Sequence, residues 1–176
     1  MESVVAALVS VALILFAALT VSQGTLSTHS VLSESWKAME ARSGEITRTG
    51  IAVTGVSVLS GGTRVEATVA NQGSTHMRSF GDWDVLLEYY DNSGKYHIQR
   101  LTYTVNSSLG SNQWTVKGIY TGAGGATPET FGPGTLDPGE EMTLAMRLSP
   151  NLGSGTTARF IVGTPNGVTA SAIFSY

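Results

Sequence analysis

The side chains able to do chemistry in this 176-residue chain are few and scattered. There is no cysteine, which removes thiolate nucleophiles, thiolate metal sites and disulfides. Three histidines, His29, His76 and His97, stand at no spacing that would set two of them on one metal, as HExxH does. Scattered histidines of this kind are ordinarily solvated or held by a single hydrogen-bond partner. No GxSxG nucleophile elbow is present. The glycine-rich stretches GAGG (122–125) and GSGTT (153–157) lack the lysine and the following helix of a phosphate-binding loop, so both read as turns. Among the carboxylates, Asp82 and Asp84 flank Trp83, and Asp91-Asn92-Ser93-Gly94 is rich in oxygen. Either group could take Ca²⁺ if other oxygens converged on it. The simpler reading makes Asp91–Gly94 a hairpin turn and puts Asp82 and Asp84 on the wet face of one strand. A carboxylate pair for glycoside hydrolysis needs a cleft, and nothing in the sequence marks one. The expectation is a protein that is not an enzyme and needs no cofactor or metal. Asn106-Ser107-Ser108 is an N-x-S acceptor for a glycan on an exported surface.

Composition narrows the partners. Ten basic and thirteen acidic residues leave a net charge of −3, with no footprint for nucleic acid and no polybasic run for anionic lipid. Charged residues are 13% of the chain, about half the usual share, which suits a protein whose surface is largely covered by something else. Twenty-one glycines favour turns and short strands over helices.

The elements that must position these residues begin with an apolar run. Residues 4–21 read VVAALVSVALILFAALTV, with no charge and only Ser10 and Thr20 polar. A helix apolar on every side must be buried on every side, in a bilayer or among copies of itself. A secretory signal is not indicated: the only charge before His29 is acidic Glu2, and the run exceeds the usual 7–15 residue apolar core. At 1.5 Å per residue the run covers about 27 Å, just adequate for a bilayer core of about 30 Å. Ala6, Ala7, Ala12, Ala17 and Ala18 would let neighbouring helices approach closely. Eleven Val, Leu, Ile or Phe side chains in the run would contribute on the order of 15–30 kcal/mol if taken out of water.

From residue 23 to 48 a helical pattern resumes after the polar QGTLSTHS. Leu32, Trp36, Met39, Ser43 and Ile46 follow 4-3-4-3 spacing, and Glu34–Lys37 and Lys37–Glu40 are weak i,i+3 pairs. Gly24 is expected to bend or weaken the helix and Gly44 to mark its fraying. A helix over 2–43 would be about 60 Å long. The rest reads as strands: IAVTGVSVL (51–59), TRVEATVAN (63–71), WDVLLEYYD (83–91), KYHIQRLTYTV (95–105), NQWTVKGIYT (112–121), MTLAMRLS (142–149), TTARFIVGT (156–164) and VTASAIFSY (168–176). Residues 83–105 and 156–176 are hairpins, the latter closed by Asn166-Gly167. About eight short strands with no intervening helix indicate an immunoglobulin-like antiparallel β-sandwich, giving an α+β chain with a hydrophobic helix over 1–48 and a sandwich over 49–176. The loop 122–134 is the expected outward, variable segment.

Four stretches carry a resemblance: SVVAALVSVALILFAALTVSQG (3–24), GIAVTGVSVLSGGTRVEATVANQGS (50–74), LDPGEEMTLAMRLSP (136–150) and TPNGVTASAIFSY (164–176). Together they resemble archaellins, the subunits of archaeal-type flagella, within the type IV pilin superfamily. The resemblance implies subunits held in the membrane by the helix, then extracted and stacked with helices in the filament core and sandwiches outside. The apolar term nearly cancels between bilayer and filament core, which makes extraction feasible. Two features depart from the superfamily pattern. No basic leader precedes the run here, so Met1 would either follow a cleavage or stand first for another reason. The glutamate that bacterial pilins carry near the start of the run is replaced by Val4 and Val5, with an acid only at Glu2.

The function implied is that of a structural subunit of an extracellular motility filament. Its partners would be itself, the membrane before assembly, and the assembly and motor machinery, with no nucleic acid. The expected helix-core interface is Val4, Val5, Leu8, Val11, Leu13, Ile14, Leu15, Phe16, Leu19, Leu32, Trp36 and Met39, and Asn106 is the candidate glycan acceptor. An adhesive pilus subunit, or a membrane-anchored sandwich that never polymerises (a stator or binding module), are the alternatives.

Overall fold

The computed structural model describes residues 2–122 and 127–176. The chain forms two compact units, Met1–Gly44 and Glu45–Tyr176. One helix, α1, runs from Glu2 to Arg48. Its 47 residues correspond to about 70 Å at 1.5 Å each. Gly24 does not interrupt it, and Gly44 does not end it. A single glycine costs about 1 kcal/mol relative to alanine, too little to break a ladder that gains a hydrogen bond for each added residue.

Nine strands follow: β1 (Ile51–Leu59), β2 (Arg64–Asn71), β3 (Asp84–Tyr90), β4 (Tyr96–Tyr103), β5 (Gln113–Thr121), β6 (Thr127–Pro128), β7 (Glu140–Arg147), β8 (Thr157–Gly163) and β9 (Thr169–Ser175). They lie in the order β1-β2-β7-β5-β4-β3-β8-β9, with the two-residue β6 paired to β5. Antiparallel pairing holds everywhere except between β4 and β5, which meet in parallel at only Thr102–Gln113 and Tyr103–Trp114. That short seam divides a first sheet, β1-β2-β7-β5, from a second, β4-β3-β8-β9. The α+β architecture with an antiparallel sandwich is thus as expected. Asp82 is a correction: it lies in a 3₁₀ turn, Phe80–Asp82, ahead of β3, and does not share a strand with Asp84.

The core follows from period-two alternation. Val65, Ala67 and Val69 of β2 face inward beside Met142, Leu144 and Met146 of β7. Across from them, Val85, Leu87 and Tyr89 of β3 sit beside Phe160 and Val162 of β8. Trp83 and Trp114 are buried. Trp114 meets Tyr103 edge-on at 4.8 Å, and its Nε1 has no acceptor among the described residues. The hairpin between β8 and β9 turns at Gly167, whose φ of 92° a β-carbon would resist.

The last turn of α1 belongs to the second unit. There the Ser74 N–H donates to Arg48 O at 2.8 Å, satisfying one of the terminal carbonyls that a helix end leaves open. The Thr49 hydroxyl donates to Glu45 O at 2.8 Å and accepts from Asn166 Nδ2 at 2.7 Å. Buried Asn71 ties the adjoining loop, donating to Thr75 O and Leu136 O and accepting from the Gly73 N–H. Gly73 is required: a β-carbon there would stand 2.4 Å from Arg48 O and Gly50 N.

Candidate functional site

The dominant unsatisfied surface of the chain is the apolar part of α1. Ser3–Gln23 has a mean hydropathy of 2.8, and none of that window is buried within the chain. It is long and apolar enough to cross a bilayer. The nine expected interface residues between Val4 and Leu19 are all exposed, from Val11 at 55% to Phe16 at 72%. At 100° per residue they occupy every side of the helix, so no single neighbour could cover them. The two polar side chains of the run are satisfied internally. Ser10 Oγ donates to Ala6 O at 2.9 Å and Thr20 Oγ1 to Phe16 O at 2.8 Å. The segment therefore presents almost nothing but hydrocarbon and asks no partner for a hydrogen bond.

Further along α1, Leu32, Trp36 and Met39 are also exposed, with Trp36 at 74% and Met39 at 72%. They form a narrow apolar stripe on a polar helix, unlike the all-round apolar surface before it. The side chain of Glu2 lies outside the described residues, as does 123–126 of the loop 122–134. In the described part of that loop Phe131 is exposed.

The groups with chemical potential are held apart. His76 Nδ1 contacts Asp137 Oδ1 at 2.6 Å and His97 Nε2 contacts Asp91 Oδ2 at 2.8 Å, each histidine thus having one carboxylate partner. His29 is exposed on α1. Asp84 accepts from Arg100 Nε at 2.8 Å. Asp91 closes the β3–β4 turn: its Oδ1 accepts from the Ser93 N–H, the Ser93 hydroxyl and the Lys95 N–H. Ser93 and then His97 are the main causes that hold this carboxyl far below the usual carboxylate range. With those lone pairs engaged, Asp91 serves the turn and has little left to offer an ion.

One group of acids among the described residues has ion-holding spacing: Glu129, Asp137 and Glu140 bring carboxylate oxygens within 4.8 Å of one another. Burial first, then the charges of Glu140 and Asp137, push the Glu129 carboxyl up. No sequence motif announced this cluster, because its members come from a loop, a turn and the start of β7. Asn106 lies exposed in the loop after β4, sterically open to a modifying group.

No family model matches the sequence, and no curated relative matches it. Several solved structures share the fold. The archaellum periplasmic stator protein FlaG from Sulfolobus acidocaldarius is 24% identical over 72% of this chain and 99% of its own, with a TM-score of 0.52. The archaeal flagellin FlaB1 from Methanocaldococcus jannaschii is 17% identical over 72% of this chain and 88% of its own, with a TM-score of 0.53. The archaeal flagellum of Methanospirillum hungatei strain JF1 matches 94% of this chain and 90% of its own at 12% identity and a TM-score of 0.53. The chain accordingly has an archaellin-like fold.

Proposed function

We propose that this chain is a structural subunit of an archaellum-type motility filament, with α1 of many copies in the filament core and the sandwich outside. The observation that carries this reading is the apolar helix Ser3–Gln23, exposed on all sides in the single chain, with both polar side chains between Val4 and Val21 bonded within the helix. Neighbouring helices on every side would cover it as completely as lipid does. The extent of the likeness to the Methanospirillum filament adds support. Residues 45–176 are three quarters of the chain, so a match over 94% takes in much of α1 as well. A head-to-tail interface that does not close propagates as a helical fibre. In this reading the subunit waits in the membrane, is drawn into a cell-surface filament outside the cell, and does no catalysis. Its partners are other copies and the machinery that assembles and turns the filament, and Asn106 is a glycan acceptor.

A second reading is favoured by the 24% identity to the Sulfolobus stator protein, which covers 99% of that chain. Here α1 stays in lipid and the sandwich works as a fixed, non-polymerising part beside the membrane. Electron microscopy of the native protein, sheared from cells and purified without detergent, separates the two. Fibres built of this chain support the filament reading. A discrete species that leaves the membrane only with detergent overturns it.

A further inference from the structure

We propose that the outer face of the first sheet is a binding trough for a neutral oligosaccharide, an assignment that stands whether the chain polymerises or remains anchored. The floor of the trough is a row of small residues crossing four strands, because Gly55 pairs with Thr68, Thr68 with Thr143, and Thr143 with Gly118. The two outer strands each carry an extra residue beside that row: β1 between Val53 and Gly55, β5 between Val116 and Gly118. A bulge bends its strand and increases the local twist. Both bulges lie beside a hollow on this face, which Gly55, Thr68 and Thr143 help to line. The hollow has a volume of about 560 Å³, within the usual range for small-molecule sites.

Glycine inside a strand often marks close approach by a ligand or by another group. The two floor glycines show both uses. A β-carbon on Gly55 would meet nothing within 4 Å, so the space above it is open. A β-carbon on Gly118 would stand 2.8 Å from the Tyr120 hydroxyl and 3.0 Å from its Cζ, so the Tyr120 ring lies directly over Gly118. The trough therefore has an open half and a half floored by an aromatic ring.

Its walls present hydroxyls and carboxylates. The hydroxyls of Ser57, Thr68, Thr143 and Tyr120 make no hydrogen bond to any described residue, and Glu66 and Glu141 supply carboxylates. Lys117 Nζ donates to both oxygens of Glu66, at 2.8 and 2.9 Å, so the cation is already matched. The charged side chains lining the trough are two glutamates and one lysine, a lining without a free cation to receive an anionic ligand. An apolar helix or side chain would leave the hydroxyls without partners, at about 1–3 kcal/mol for each one buried. A peptide strand laid over the floor would find no free backbone, since β2 and β7 are paired on both sides, and it could pair only along the outer edge of β1, to one side of the row. A sugar ring has what remains: hydroxyls that donate and accept, and a C–H face that rests on a tyrosine.

The test uses the full chain in a phosphocholine detergent, which carries no sugar headgroup. Saturation-transfer NMR is recorded with maltotriose, mannotriose, chitotriose and trigalacturonate. At least one of the three neutral sugars is expected to receive saturation and the uronate none. Gly55→Trp, which fills the open half, and Tyr120→Ala should each weaken binding tenfold or more, whereas Ile98→Ser on the second sheet should not. No transfer to any neutral sugar at millimolar concentration overturns the proposal. So does binding that persists in Tyr120→Ala together with Gly55→Trp, with circular dichroism confirming that both variants fold. If Gly55→Trp unfolds, Tyr120→Ala alone decides.

Discussion

At Asp91 a turn, a strand and a histidine converge on one carboxylate. The hydrogen bonds from Ser93 and His97 lower its folded pKa below the unfolded value of about 3.9. Such a group contributes stability at all pH values above the unfolded pKa and loses that contribution as pH falls below it. The urea midpoint of the wild type should therefore drop between pH 6 and pH 3 by more than that of Asp91→Asn, and equal drops would remove Asp91 from the acid response. Asn71 makes the opposite kind of contribution, independent of pH. Its side chain is buried at 1% exposure and bonds three backbone groups beside the end of α1. Asn71→Ala should cost about 1–3 kcal/mol of unfolding free energy, because acceptors left behind in a closed site cannot regain water. A denaturant midpoint unchanged from wild type would show that the loop finds other partners.

At the scale of the element, the helix prediction is the sharpest. Leu13→Asp or Leu15→Arg would bury an unpaired charge in any dry surrounding, and each should abolish filaments while leaving the circular dichroism signal of the strands intact. Filaments of normal length from either variant, seen by microscopy, would remove α1 from the core. This element was legible because eighteen uncharged residues have few other fates, and so were most strands. β2 declares itself by strict alternation, with Val65, Ala67 and Val69 inward against Glu66 and Thr68. The misreadings have physical causes. Gly24, expected to bend or weaken the helix, and Gly44, expected to mark its fraying, both lie within α1, where the cooperativity of a long helix outweighs local propensity. β6 is two residues long and exists only by pairing with β5, so it has no period to read. The bulge at Lys117 shifts the inward set from Trp114 and Val116 to Ile119, a three-residue step in a two-residue rhythm. That step was visible in the sequence, but the trough beside it was not. Its floor takes residues from four strands whose pairing order, β1-β2-β7-β5, is not their chain order. The Glu129, Asp137 and Glu140 cluster was hidden because its members come from a loop, a turn and the start of β7 and follow no period.

For the whole molecule, the two units divide the labour of solubility. Residues 45–176 close a core of their own, with six side chains of β2 and β7 nearly sealed from solvent, while residues 1–44 leave their hydrocarbon for others to cover. Methionine chemistry can read that division. Met77, Met142 and Met146 are shut inside the sandwich, whereas Met39 on α1 is 72% exposed. Peroxide converts an accessible thioether to its sulfoxide and spares an enclosed one. A lone detergent-held chain should gain oxygen at Met39 first, by peptide mass spectrometry. Crowded among sibling rods, the same sulfur should stay reduced as long as the three inner ones, and equal oxidation of Met39 in fibres and in single chains would show that this stretch of the rod remains bare. One thioether thus becomes a built-in gauge of whether the rod has company.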